Sequence, residues 1–162
     1  MAKASFLDYL DEQLQKKITE YDTAIDWNKK NHSIEVIVRL FAENQSHEES
    51  IDADGIVSSE DIIEIEDGVL FYHPIKSTFD VDYYLTTIPY DEKKGLQKGA
   101  IDAFVTYFKE VLDEGQSDLL DYVTKEDVIE FELKWKKEDY DALVAEKLQL
   151  AGGEEYLPYP KY

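Results

Sequence analysis

The stretch Ser33–Phe41 sets the pattern of the chain. Its even positions, Ile34, Val36, Val38 and Leu40, form an unbroken apolar row, while Glu35, Ile37, Arg39 and Phe41 alternate between them. β-Branched residues at period two fit a pleated strand with one face fully buried and the other partly covered. This strand is expected at the centre of a sheet, with helices on its apolar face. Before it, Leu7, Leu10, Leu14, Ile18 and Tyr21 recur at steps of three and four. They predict a helix over 5–21, with Ser5 as its cap. Thr23–Trp27 reads as a short strand, turned by Asn28–Asn31 into the central one.

Beyond the central strand, Ile62–Glu66 and Val69–Tyr72 read as a tight hairpin, because Asp67-Gly68 offers positive-φ turn residues. Asp80–Ile88 alternates as a further strand that Pro89 would stop. A long helix is expected over Glu92–Glu114, its stripe being Ile101, Phe104, Phe108 and Val111, with Gly115 as a left-handed cap. A short helical turn follows from Ser117 to Tyr122. Ile129, Phe131, Leu133 and Trp135 alternate strictly, which favours a strand, while Thr124–Asp127 resembles a helix start and keeps a long helix open. Glu138–Leu150 is helical in pattern and ends at Gly152-Gly153. The prolines of the 155–162 tail bar it from helix or inner strand. The expected fold is therefore α+β: one domain over 1–162, with a mainly antiparallel sheet of five to seven strands and helices packed on one face.

Composition narrows the function. The 162 residues are 43% hydrophobic and carry a formal charge of −20, and Arg39 is the only arginine. A field of that sign repels phosphate backbones and anionic membranes, so neither nucleic acid nor membrane is an expected partner. It attracts basic protein surfaces or polypeptides; the plainer reading is that it keeps the protein in solution. Ten acids and no lysine or arginine lie between Arg39 and Lys76. With no cysteine, neither a disulfide, a thiolate zinc site nor a cysteine nucleophile can form. Acids fall where a secretory leader needs an apolar core, and no apolar run approaches the ~18 residues of a membrane span. A cytoplasmic bacterial protein is expected.

The sharpest local pattern is Ser50–Asp61, which has the spacing of a calcium loop. Oxygen-bearing side chains include Asp52, Asp54 and Asp61, with Gly55 at position six. Ser50 replaces the usual first aspartate, Asp61 is shorter than the usual closing glutamate, and the flanks read as strand. An acidic loop with an Asp-Gly turn explains the same residues. Asp52, Asp54 and Asp61 are thus the metal candidates, for calcium or magnesium; no other cofactor and no catalytic residue is indicated. His32, His47 and His73 match no metal or nucleophile spacing. Carboxylate pairs such as Asp80/Asp82, Glu130/Glu132 and Asp139/Asp141 are expected by chance among 37 acids. Arg39 could clamp an anion or neutralise nearby acids, and Tyr83, Tyr84 and Tyr90 could line a groove or bridge core and surface.

Phe6-Leu-Asp-Tyr-Leu10, Tyr21–Trp27 and Phe71-Tyr-His-Pro74 resemble a family of small acidic proteins of Gram-positive Firmicutes, catalogued as a domain of unknown function. That resemblance brings no functional residues with it. The element order also resembles the secretion-chaperone-like architecture, whose members are small, acidic and bind polypeptides. The leading expectation is a non-enzymatic, chaperone- or adaptor-like protein-binding module, with the oligomeric state open. The alternative is a divalent-cation-binding protein through 50–61, and the third is a small carboxylate-based enzyme.

Overall fold

A computed structural model describes residues 4–43, 62–124 and 131–161. Helix α1 spans Phe6–Lys17, and Ser5 caps it as its sequence predicts. The Ser5 hydroxyl accepts from the Asp8 N–H, and the Asp8 carboxylate accepts from the Ser5 N–H. Two of the four unpaired donors of the first turn are so satisfied. Strands β1 (Asp22–Asn28), β2 (Ser33–Glu43), β3 (Ile62–Tyr72) and β4 (Thr86–Pro89) form one sheet in the order β1-β2-β3-β4. The first three are antiparallel neighbours, and β4 lies parallel to β3. Strand β5 (Leu96–Gln97) leads into helix α2 (Lys98–Thr124), helix α3 spans Lys137–Leu148, and strand β6 (Tyr156–Leu157) pairs with β5.

The class is α+β, and the even row of β2 is the buried one. Ile34, Val36, Val38 and Leu40 share the core with Phe6, Leu10 and Leu14 of α1 and with Ile101, Phe104, Phe108 and Leu112 of α2. Phe71 meets Phe104 edge to face at 5.1 Å, and Phe104 stacks on Phe108 at the same distance. Two tyrosines fasten the layers at their rim. Tyr9 donates to Asp102 and Tyr21 to Asp113, both at 2.5 Å. Burial first, and these carboxylates second, push both hydroxyls above the ordinary phenol range.

Several expectations are corrected. Among the described residues the main sheet has four strands, since β5 and β6 form a separate pair. Asp67-Gly68 is no turn: β3 runs unbroken through it, and Gly68 faces Ile37 in register. Asp80 begins no strand, because its carboxylate accepts from the Asp82 N–H and caps a 3-10 turn at Val81–Tyr83. Gly115 ends no helix, because it lies inside α2, where a side chain at that position would strike Leu133. The same helix also starts later than expected. The Asp91 carboxylate accepts from the Lys93 and Lys94 N–H groups, holding a turn ahead of β5.

Residues 131–136 form neither strand nor helix. They alternate buried and exposed because an extended segment lies along α2, with Trp135 edge-on to Tyr107 at 4.7 Å. The tail beyond β6 crosses to the N-terminal helix. Pro158 accepts from the Phe6 N–H at 2.8 Å, and Tyr159 stacks on Tyr90 at 4.9 Å. No described helix is long and apolar enough to cross a membrane.

Candidate functional site

The helices leave one side of the sheet without a helical partner among the described residues. That side carries the odd residues of β2 and the even residues of β1 and β3. Among the described residues of β1, β2 and β3, six carboxylates stand on it, Asp22, Asp26, Glu35, Glu43, Glu64 and Glu66, against one cation, Arg39. Arg39 is held by three of them, with Nε 3.1 Å from Glu66, Nε 3.4 Å from Glu64 and a guanidinium nitrogen 3.9 Å from Asp22. The hydrogen bond to Glu66 leads in raising its pKa. Of its two sequence readings, neutralisation is therefore what the geometry provides.

Apolar groups share this face. Phe41 and Ile62 lie diagonally across the β2–β3 ladder and are 45% and 54% exposed. At the other end, the loop between β3 and β4 folds onto the sheet through Phe79, which packs on Tyr72 at 4.7 Å and on Tyr84 at 6.2 Å. This arrangement leaves Val81 60% and Tyr83 78% exposed beside Asp80 and Asp82.

Glu35 is the acid of the face that packs against the β3 backbone. It stands half-buried over Gly68, whose lack of a side chain makes room for the carboxylate. Burial first, then the charges of Asp26, Glu66 and Asp67, raise its pKa. Burial first, and the carboxylates of Glu35 and Asp26 after it, raise the Tyr84 hydroxyl in turn. Sequence reading missed this group, because residues from β1, β2 and the β3–β4 loop meet only through the register. The one local signal was a glycine inside a strand pattern.

The other sequence candidates are dispersed. Asp52, Asp54 and Asp61, with His47 and Glu130, lie outside the described residues. The segment holding the three aspartates connects β2 to β3 in sequence. Among the described residues no cluster of three or more His, Asp or Glu side chains has metal-holding geometry. His73 is buried, and its Nδ1 accepts from the Ile75 and Lys76 N–H groups at 3.1 and 3.0 Å. That arrangement assigns the ring proton to Nε2 and removes the lone pair a metal needs there. Asp141 pairs with Lys137 at 3.3 Å. Tyr90 is buried and donates to the His32 carbonyl, while Tyr83 faces water, so the three tyrosines line no common groove.

A cavity of about 320 Å³ lies between α1 and the tail, lined by Leu7, Trp27 and Tyr159 among others. Of its polar lining, Ser5 and Asp8 are engaged with each other in the helix cap, and Lys161 stands at the same cavity.

A solved structure of a conserved protein of unknown function from Enterococcus faecalis is similar along nearly its whole length. It is 46% identical, with a TM-score of 0.85 over 99% of this chain and 98% of the other. A search of curated proteins returns no match. A family model described as protein of unknown function (DUF3013) matches residues 1–161, and the chain belongs to that family.

Proposed function

We propose that this chain is a non-enzymatic, cytoplasmic protein-binding module that docks a basic polypeptide on the helix-free face of its sheet. The observation that carries this reading is the placement of Phe41 and Ile62, both water-exposed, among the carboxylates of the helix-free face, with exposed Val81 and Tyr83 on the connection between β3 and β4. Large apolar groups held in water favour burial by a partner, and an acidic surround selects a cationic one. The net charge of −20 adds long-range attraction for the same class of partner.

The test is capture of partners from the native cell by wild-type protein and by two variants, Phe41→Ser with Ile62→Ser, and Glu64→Gln with Glu66→Gln. A partner of this face is retained by the wild type and lost by the apolar variant. Its association slows as salt shortens the Debye length to ~8 Å at 0.15 M. A captured protein that binds both variants as well as the wild type, at any salt, overturns the reading.

A further inference from the structure

The register fixes which backbone groups of β1 are left over. The Gly68 and Tyr72 carbonyls accept from the Leu85 and Tyr90 N–H groups. The even residues of β3 therefore turn their peptide groups toward β4, and the odd residues turn theirs toward β2. Carried through the unbroken β2–β3 and β1–β2 registers, this gives the odd residues of β2 and the even residues of β1 to each other. Thr23 and Ile25 are then left with N–H and C=O groups aimed away from the sheet. Among the described residues, no backbone group of another element bonds to either.

Edge strands are normally protected by proline, bulges, inserted lysines or a covering element. Strand β1 pairs seven successive residues with β2 without a bulge, and it contains neither proline nor lysine. Its protection is Asp22 and Asp26, both exposed on the acidic face. Against a second copy they act as a barrier. The antiparallel register that would pair Thr23 with Ile25 sets Asp22 opposite Asp26 twice, and like charges directly opposite repel. Against a basic strand the same two carboxylates attract.

We infer that the outer edge of β1 receives an extended segment of the partner as a fifth strand. Lysine or arginine of that segment would face Asp22 and Asp26, and apolar residues at the alternate positions would continue the face of Thr23 and Ile25. Main-chain bonds at Thr23 and Ile25 give the contact its strength, and the charges give it selectivity. The inference rests on the docking of a basic polypeptide and names its mode.

The probe is a short labelled peptide alternating lysine with valine, compared with the same residues in two blocks and with two N-methylated forms. Each N-methylated form blocks one of the two alternate sets of backbone donors, so only one of them meets β1. The alternating peptide is expected to bind more tightly than the block peptide. One N-methylated form should lose about tenfold or more in affinity, as two lost hydrogen bonds imply, while its counterpart does not. Thr23→Pro removes an outward donor without touching the β1–β2 ladder and should give a similar loss. Because the peptide arms use the wild-type protein, the result does not depend on that variant folding. Equal binding by both N-methylated forms, lost in Phe41→Ser with Ile62→Ser, overturns strand addition and leaves face docking standing. Failure of every lysine peptide to bind at low salt overturns both.

Discussion

The Glu35 carboxylate occupies the space that a side chain on Gly68 would fill, across the ladder between β2 and β3. The glycine is there for room: its conformation is that of an ordinary strand, and the acid beside it is held partly out of water. Since Glu35 has a folded-state pKa raised above its unfolded value, its ionisation opposes folding. Stability contributed by the neutral form is present below the ordinary carboxylate range and is lost as pH rises through the raised value. Glu35→Gln is therefore expected to be more stable than wild type at neutral pH, with the difference closing in acid. Gly68→Ala should swing the Glu35 side chain into water and return its titration toward the ordinary range. Carboxyl titration by NMR checks both, and an unshifted Glu35 in wild type would refute the burial argument.

Val38 is 1% exposed and faces Asp67 across the ladder, whose own pKa is raised by burial. Val38→Asp would place a second carboxylate beside it without a counter-charge. A loss of roughly 3–5 kcal/mol is expected. Glu35→Ala, on the opposite face, should change stability by less than about 1 kcal/mol. Chemical denaturation of the two variants reads the contrast directly, and similar midpoints would mean the faces are reversed.

Gly115 gives a test of how the 131–136 segment is held. Alanine inside a helix is favoured over glycine by about 1 kcal/mol. Here the added methyl would displace Leu133, which is 7% exposed. Gly115→Ala is expected to be net destabilising by about 1–2 kcal/mol, as overpacking usually is. In a Leu133→Ala background the same change should become stabilising. A double-mutant cycle measures this reversal, and additive effects would show that the two residues do not meet.

Residues 50–61 lie outside the described residues, within the 44–61 stretch that connects β2 to β3. By sequence the flanks of 50–61 read as strand; a segment so placed must gather its ligands at its own entropic cost, and Ser50 supplies no carboxylate. Calcium affinity is expected to be weaker than the ~10⁻⁷–10⁻⁵ M of sensor loops. Calorimetry with calcium, and with magnesium for charge screening, is decisive. A stoichiometric micromolar site lost in Asp54→Asn would move cation binding ahead of polypeptide docking.

The sequence shows most clearly what local periodicity controls. The buried row of β2, the Ser5 cap, the β1–β2 hairpin and the stripe of α2 all follow from spacing alone. Misreadings cluster where a residue serves a distant neighbour. Gly68 looks like a turn because Glu35, thirty-three positions away, is invisible from it. Gly115 looks like a cap because Leu133 is not yet packed against it. The alternation of 131–135 reports an extended backbone truthfully, but period two cannot distinguish a sheet partner from a helix surface. The acidic face was legible as charge, though its geometry needed the register of three strands and a loop.

The bond from the Phe6 N–H to the Pro158 carbonyl ties the start of α1 to the tail. During synthesis the first helix must wait for almost the entire chain to emerge before this acceptor reaches it. Tyr90 likewise waits for Tyr159, so the aromatic seam cannot close from the N-terminal half alone. Contacts of such long sequence separation slow folding and leave little for a partial chain to settle into. A nascent chain stalled ahead of residue 156 would therefore present its apolar seam to chaperones and proteases, while emergence of Pro158 and Tyr159 lets the seam close.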